Sequence, residues 1–407
     1  MRILVNDFAG HPFQVQLSRE LARRGHNVLH TYLSGLQGPK GALTLRPGDP
    51  AAFEIQAVNA GEEIQKYSLL SRFRAHRRFA NAMNARIAEW QPDVVLSGNT
   101  PIDAQHRVQR FCRRNGVAFI HWMQDLYCLA LDTFLRRKFG RLGSLPAAAY
   151  FHLERRICRE ADAVVMITPG FADYLDERNM SCPRACVIEN WAPLDELPSH
   201  PRNNAWRAEQ GLGDDVVFLY SGTLGMKHRP ELLWELAGVG RTVVVSEGIG
   251  RDYLDRQLRR EPGVRLQTLN LQPYEKVPEA LSSADVLVAI IDAESSRFAV
   301  PSKVLSYLCV GRPVLLASPS ENLAATVVEN AQAGIVVHPD DHHGFVQAAR
   351  LLNQDEALRR RLGRNGRRYA EQHFDIGRIA ARFEDLCMEV TADEAARNAR
   401  SLCALPS

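Results

Sequence analysis

The stretch Arg2-Ile-Leu-Val-Asn-Asp-Phe-Ala-Gly-His-Pro-Phe-Gln-Val-Gln-Leu (residues 2–17) decides the fold. It begins with a short apolar run, which is followed by a glycine that permits a tight turn and by Pro12, which suits the first position of a helix. Apolar side chains then recur every four residues over 13–21, and Gly25 ends the helix before a second apolar run at 28–32. This order predicts a β-α-β unit.

The same alternation of apolar runs and amphipathic segments continues through residue 190 and restarts at 216–220. Strands that are apolar throughout and separated by helices indicate parallel sheets covered on both faces. Three prolines and no hydrophobic period mark 192–205 as a linker. The sequence therefore predicts two doubly wound Rossmann-like α/β domains, 1–192 and 206–375, facing each other across a cleft that holds the site.

The end of the chain is predicted to be one long helix, about 376–390, followed by a frayed polar tail from Thr391. We expect this segment, 376–407, to cross back to the first domain.

Composition sets broad limits on the function. The chain has 407 residues, 45% of them hydrophobic and 24% charged, as in ordinary globular proteins. Residues 1–194 carry 25 basic and 18 acidic side chains, and the remainder 25 and 29. Either an anionic partner of the front half or an uneven solvated surface explains this difference.

The sequence predicts a cytoplasmic protein with reduced thiols. Its eight cysteines are scattered and include no CxxC pair, and it shows no signal peptide and no long apolar stretch.

The strongest local signal is Pro301-Ser-Lys-Val-Leu-Ser-Tyr-Leu-Cys-Val-Gly-Arg-Pro, which follows an apolar strand. Ser302 is a natural N-cap, and free amides at a helix start bind anions. Lys303 lies on the first turn, where the helix dipole disfavours a cation. A bound diphosphate would resolve this conflict, whereas an ordinary capped helix with a solvated lysine is an equally simple explanation.

A second signal, Ser221-Gly-Thr-Leu-Gly-Met-Lys, lies at the end of the first strand of the second domain. Gly222 and Gly225 allow close approach of a ligand, and Lys227 could neutralise a phosphate. The alternative is a glycine-containing turn with a surface lysine.

In the first domain, Gly10 and His11 follow the first strand, and His121 and Asp125 lie at the end of a later one. Gly10 allows close approach of a ligand to which His11 could point, and Asp125 or His121 could orient sugar hydroxyls or accept a proton. Helix capping or surface exposure would explain the same residues. The loop lacks a complete GxGxxG fingerprint, which argues against a dehydrogenase.

Metal binding is not expected. The chain has no Asp-x-Asp triplet, and Asp340-Asp-His-His lies at a helix start, where capping explains it better.

Two basic amphipathic stretches, 66–86 and 134–142, have the pattern of helices that lie on anionic lipid. Solvated helix faces are the alternative. Nucleic-acid binding is not expected, because no recognition module is visible.

Taken together, these motifs resemble glycosyltransferase family 4. The resemblance rests on the two-domain layout, the 221–227 and 301–314 motifs, Val187-Ile-Glu-Asn-Trp and Leu271-Gln-Pro-Tyr, and it covers about residues 1–385. The most similar branch is that of bacterial envelope-polysaccharide transferases of the colanic acid and O-antigen fucosamine types.

The resemblance implies a GT-B enzyme that retains the anomeric configuration and transfers a hexosyl or N-acetylhexosaminyl group. It also implies a nucleotide-sugar donor, with a UDP-sugar favoured, and a glycan or lipid-linked acceptor. No metal or other cofactor is implied. The enzyme would be cytoplasmic, or peripheral at the inner face of the cytoplasmic membrane.

The family motifs also suggest roles for individual residues. Lys227 and Lys303 match the phosphate side of the donor site, Gly10 and His11 the acceptor side, and His121 or Asp125 the sugar-contacting or catalytic position. The remaining donor-side positions are Gly222, Thr223, Gly225, Pro301, Ser302, Ser306 and Gln272.

One departure from the family pattern is clear. Its two glutamates, eight positions apart, fall here at Phe298 and Ser306. Contacts to the ribose and sugar would have to come from other residues, such as Glu294, Ser295 or Arg297. Two alternatives stay open: a sugar-nucleotide 2-epimerase on the same fold, and a catalytically degenerate partner subunit, which the missing glutamates would fit.

Overall fold

The computed structural model describes residues 1–35, 43–59, 69–140, 144–180, 182, 184–292 and 302–403. The chain divides into two compact units. Unit 1 comprises Met1–Asn190 and Ile376–Ser407, and unit 2 comprises Trp191–Asp375.

The described strands are numbered in chain order. They are β1 (Arg2–Asp7), β2 (Asn27–Leu33), β3 (Phe53–Val58), β4 (Val94–Gly98), β5 (Ala118–Met123), β6 (Ala163–Met166), β7 (Ala185–Val187), β8 (Val217–Ser221), β9 (Arg241–Val245), β10 (Leu266–Leu269), β11 (Val286–Ile290), β12 (Val314–Ala317) and β13 (Gly334–Val337).

The described α-helices are numbered in the same way. They are α1 (Pro12–Arg23), α2 (Leu69–Trp90), α3 (Ile102–Arg114), α4 (Tyr127–Phe139), α5 (Ser144–Glu160), α6 (Gly170–Glu177), α7 (Ala205–Glu209), α8 (Pro230–Leu236), α9 (Ile249–Arg260), α10 (Val277–Ser282), α11 (Ser302–Cys309), α12 (Leu323–Asn330), α13 (His342–Gln354), α14 (Glu356–His373) and α15 (Ile376–Cys403). Short 3-10 turns cover Met226–His228 and Tyr274–Lys276.

Each unit contains one parallel sheet. Unit 1 has the strand order β3-β2-β1-β4-β5-β6-β7, and unit 2 has β10-β9-β8-β11-β12-β13. The prediction of two doubly wound parallel sheets is therefore confirmed. In both sheets the order reverses beside the first strand, between β1 and β4 and between β8 and β11. Ligands of doubly wound sheets bind beyond the carboxyl ends of the strands at such a switch point.

The strands form where apolar residues run without interruption. All residues of β4 and β11 are buried, as expected for central strands with helices on both faces. The edge strand β3 has only its end residues buried, and its mixed pattern explains why the sequence did not reveal it.

The prediction of a frayed tail from Thr391 was wrong. Helix α15 continues to Cys403. Its extension is held to unit 1 by ion pairs, in which Arg397 contacts Asp162 and Arg184 lies 3.0 Å from Asp393. These partners lie more than 200 positions away, so local polarity gave no sign of them.

Two minor expectations are confirmed. Asp341 caps α13 by accepting a hydrogen bond from the Gly344 amide at 2.8 Å, which explains the Asp340-Asp-His-His segment without a metal. Five cysteines are buried free thiols, namely Cys112, Cys128, Cys158, Cys309 and Cys387.

Among the described residues, no helix is both long and apolar enough to cross a membrane.

Candidate active site

In unit 2, the candidate site lies at the switch point between β8 and β11. The loop after β8 begins at Gly222, whose φ of +119° lies in the region that favours glycine. The loop is fixed to the end of β9, because the Gly222 amide donates to Val245 O at 3.0 Å and the Leu224 amide to Glu247 O at 2.9 Å. The Ser246 hydroxyl adds a bond of 2.7 Å to Gly222 O.

Helix α11 is attached to the same point by Tyr307. Its buried hydroxyl accepts a hydrogen bond from the Ser221 amide at 3.1 Å and lies 3.3 Å from Val288 O, to which it can donate. One side chain therefore connects α11 to the end of β8 and to the middle of β11, and it helps to fix where the helix lies.

Lys303, on that first turn, extends across Gly222. Its Nζ lies 3.8 Å from the centroid of the Tyr220 ring, and a Cβ at position 222 would come within 3.1 Å of it. Any other residue at this position would press a Cβ against the lysine side chain and would be strained at this φ. The side chain is half-buried, and no carboxylate forms an ion pair with it within the described ranges. Loss of solvent lowers the pKa of Lys303 to about 7.

Lys227 shares this environment through His228. The Gly225 amide donates to His228 Nδ1 at 3.0 Å. Burial, together with the positive charges of Lys303 and Lys227, lowers the pKa of His228 to about 4, against an opposing effect of Asp292. Two lysines therefore lie close to one neutral imidazole at the carboxyl end of the sheet. Such an arrangement can bind a polyanion.

The other predicted donor-side residues differ in their surroundings. Thr223 is exposed on the same loop, and Ser306 donates to Ser302 O at 3.2 Å on α11. Both groups of the Gln272 amide are already engaged, with Trp206 Nε1 at 2.9 Å and with Asn270 O at 2.9 Å. Pro301, Phe298 and the residues at 294–297 lie outside the described residues.

In unit 1, a buried carboxylate lies at the switch point between β1 and β4. Asp7 ends β1 opposite Gly98 and is fully buried. It accepts hydrogen bonds from the Ala9 amide at 3.1 Å and from the His11 amide, and its Oδ1 lies 3.4 Å from His11 Nδ1. Gly10, with φ +78°, makes the tight turn that brings His11 back to Asp7.

Two amides complete the surroundings of Asp7. Gln14 donates to the two Asp7 carboxylate oxygens at 2.9 and 3.1 Å and accepts from Asn99 Nδ2 at 3.0 Å. Asn99 adopts a φ of +54°, which is uncommon outside glycine. Backbone strain of this kind is often found at functional sites.

With these partners, Asp7 can hold the His11 ring with Nδ1–H towards the carboxylate. The His11 side chain is 33% exposed, so its second nitrogen can accept a hydrogen bond from a ligand. Sequence analysis predicted Gly10 and His11 but missed Asp7, Gln14 and Asn99. The available signal was an aspartate at the end of an apolar strand, four residues before the histidine.

His121 and Asp125 have different surroundings from His11. His121 is only 5% exposed, and its Nδ1 lies 2.9 Å from Gln105 Nε2. Burial lowers the pKa of His121 to about 4. It belongs to a buried polar row with Ser97, which donates to Gln105 Oε1 at 2.7 Å. Asp125 is exposed and accepts from the Leu126 amide at 2.8 Å. Of these residues, His11, held by Asp7, is therefore better placed to contact a ligand than the buried His121.

Comparison with known proteins gives two family matches along the chain. A glycosyl transferase 4-like domain matches residues 11–191, and the family of glycosyl transferases group 1 matches residues 203–369. No curated protein sequence matches the chain.

Solved structures share the fold at low sequence identity. Sucrose-phosphate synthase from Thermosynechococcus elongatus is 18% identical with a TM-score of 0.73, over 97% of this chain and 100% of that one. Anabaena HepE in complex with UDP-glucose is 14% identical with a TM-score of 0.66, over 96% and 100%. Os79 from O. sativa in complex with UDP is 17% identical with a TM-score of 0.60, over 94% and 100%.

Proposed function

The chain is a glycosyltransferase of the GT-B type, and we propose that it transfers a sugar from a UDP-sugar to a lipid-linked glycan. The observation that carries the donor assignment is the pair of lysines, Lys227 and Lys303, beside a neutral histidine at the switch point of unit 2. Two of the similar structures hold UDP-glucose and UDP, respectively. The acceptor assignment rests on the family resemblance and on the basic excess of the front half of the chain.

We further propose that the reaction retains the anomeric configuration and requires no metal. The acceptor oxygen forms the new bond to the anomeric carbon as the bond to the diphosphate breaks, and the nucleoside diphosphate leaves with the electron pair. Lys227, Lys303 and the amides at the start of α11 stabilise the negative charge that develops on the leaving group. His11 accepts a hydrogen bond from the attacking hydroxyl and orients it, and the proton finally goes to the leaving diphosphate.

The product identifies the type of reaction. A new glycoside with the donor's anomeric configuration supports this proposal. Formation of a new sugar nucleotide without an acceptor would support an epimerase, and nucleotide binding without any turnover would support a degenerate partner.

Nucleotide binding is the first test of the donor assignment. UDP, and not GDP, ADP, dTDP or CMP, should raise the melting temperature of the purified chain, with or without EDTA. A ligand at 100 times its Kd stabilises the native state by about 2.7 kcal/mol, or roughly 5–10 °C for a unit of this size. The absence of a shift with every nucleotide at millimolar concentration would contradict the donor assignment, and a shift abolished by EDTA would contradict metal independence.

UDP affinity should also fall as the pH rises above neutrality. Because the pKa of Lys303 is lowered to about 7 in the free protein, binding above this pH requires uptake of a proton. The Kd for UDP should then rise by about tenfold per pH unit between pH 7.5 and 9, measured by calorimetry. The variant Lys303→Arg stays charged throughout and should show a flat profile, which also corrects for titration of UDP itself. Equal profiles for both proteins would exclude Lys303 as the titrating group.

A further inference from the structure

Several large apolar side chains of unit 1 are exposed to solvent in one region of the chain. Phe134 and Phe139, on the second half of α4, are 50% and 47% exposed, and Leu145, at the start of α5, is 72% exposed. Leu135, between the two phenylalanines, is buried. The helix therefore packs on unit 1 through one side and leaves two aromatic rings on the other.

Basic side chains occupy the same exposed surface. Arg136, Arg137 and Lys138 are all exposed, and the nearby acid, Asp132, pairs with Arg136 at 2.8 Å. Lys138 Nζ lies 5.9 Å from the centroid of the Phe134 ring and 5.4 Å from that of Phe139. Across the described part of the chain, no carboxylate lies within ion-pair distance of Lys138.

A second exposed basic face with an aromatic side chain lies at the beginning of α2. Phe73, 45% exposed, lies on a face with Arg74, Arg77 and Arg78, all of them exposed. Arg72 is close enough to Tyr127 and Tyr150, on α4 and α5, to influence their pKa values. These effects place the start of α2 near Tyr127, at the beginning of α4, whereas the second basic stretch seen in the sequence lies at the end of α4. The outermost parts of the two basic stretches, 66–68 and 141–142, lie outside the described residues.

We propose that this basic aromatic surface, consisting of Phe134, Arg137, Lys138, Phe139 and Leu145, docks unit 1 onto an anionic lipid bilayer. Cations attract acidic headgroups, and exposed phenylalanine and leucine side chains gain free energy by entering the acyl boundary. The long stem of Lys138, lying along two rings, keeps its ammonium at headgroup level while the rings insert. Leu145 has no polar atom with which to contact a nucleic acid, so its 72% exposure favours lipid.

Docking deepens the proposed function, since it rests on an acceptor that resides in the same membrane. It does not itself require donor binding or turnover, so the two proposals can fail separately.

The experiment is co-sedimentation of the full chain with vesicles of phosphatidylcholine alone or mixed with phosphatidylglycerol. We expect binding to the mixed vesicles, weakened by salt. Arg137→Glu with Lys138→Glu should reduce the partition coefficient by at least tenfold, since each cation contributes about fivefold. Phe134→Ser with Phe139→Ser should reduce it comparably. Leu351→Ser, which changes a 48% exposed leucine on α13, is the matched control and should bind normally.

Several outcomes would overturn the docking proposal. They are equal binding to neutral and anionic vesicles, binding unaffected by either double variant, and tight binding to single-stranded RNA without binding to vesicles. The UDP affinity of each variant is measured in parallel. If UDP binds normally while vesicles do not, docking alone fails. If vesicles bind while no nucleotide does, the donor assignment fails instead.

Discussion

Replacing Lys303 with methionine should lower kcat by about 10²–10³-fold at saturating donor. The ammonium lies over Gly222 and Tyr220, where solvent is restricted, and a charge in such a place stabilises developing negative charge more than it would in water. Methionine keeps the length and most of the volume of the side chain, so packing against Tyr220 is retained. The measurement is the initial rate of transfer, with UDP release as the readout.

The control for this variant is Arg360→Ala, which removes a cation of unit 2 that is 70% exposed and pairs with Glu356 on α14. It should leave kcat within about twofold, because exposed ion pairs contribute little. If kcat were unchanged in Lys303→Met, Lys303 would not stabilise the transition state and would contribute only to donor affinity.

Replacing His11 with alanine should reduce kcat by about 10²–10⁴-fold and leave UDP affinity unchanged. The basis is the fixed orientation of the imidazole by Asp7, whose carboxylate is itself held by Gln14. Asp7→Asn should have a similar effect on kcat, since an amide can donate to Nδ1 and stabilise the wrong tautomer. The pH dependence of kcat should also change in Asp7→Asn, which a purely structural role would not explain.

His152→Ala is the matched control for the histidine, because His152 is exposed on α5. Thermal unfolding of each variant separates loss of chemistry from loss of fold, which matters most for the buried Asp7. If His11→Ala turned over normally, another residue would have to activate the acceptor, and the exposed Asp125 would be tested next.

The sequence was sufficient to predict most of the fold because the strands of parallel sheets are apolar throughout. Gly222, Lys227 and Lys303 were also predictable, since glycines and a lysine at helix and strand ends leave local patterns. The elements missed were those with weak patterns, such as β3, in which only the two end residues are buried.

The rest of the site depends on contacts between distant segments, which no local pattern reveals. Tyr307 contacts Ser221 across 86 positions, and Asn99 contacts His11 across 88. Asp7 looked like an ordinary strand end, and its role is visible only once β1 and β4 are known to be neighbours. His121 was predicted to lie at the end of a strand, but β5 continues to Met123 and the histidine is buried within it.

The return of α15 to unit 1 has a consequence for the order of assembly during translation. The ring centroids of Phe383 and of Trp122 on β5 are 4.8 Å apart. The Glu384 carboxylate lies 2.6 Å from Arg24 Nε and 2.8 Å from His26 Nε2. When residues 1–190 have left the ribosome, none of these contacts can yet form. Unit 2 is contiguous and can be completed first, whereas unit 1 must wait about 10–40 s at ordinary elongation rates. During that interval the nascent first unit lacks the helix that packs against Trp122, so apolar surface that is buried in the finished unit stays exposed.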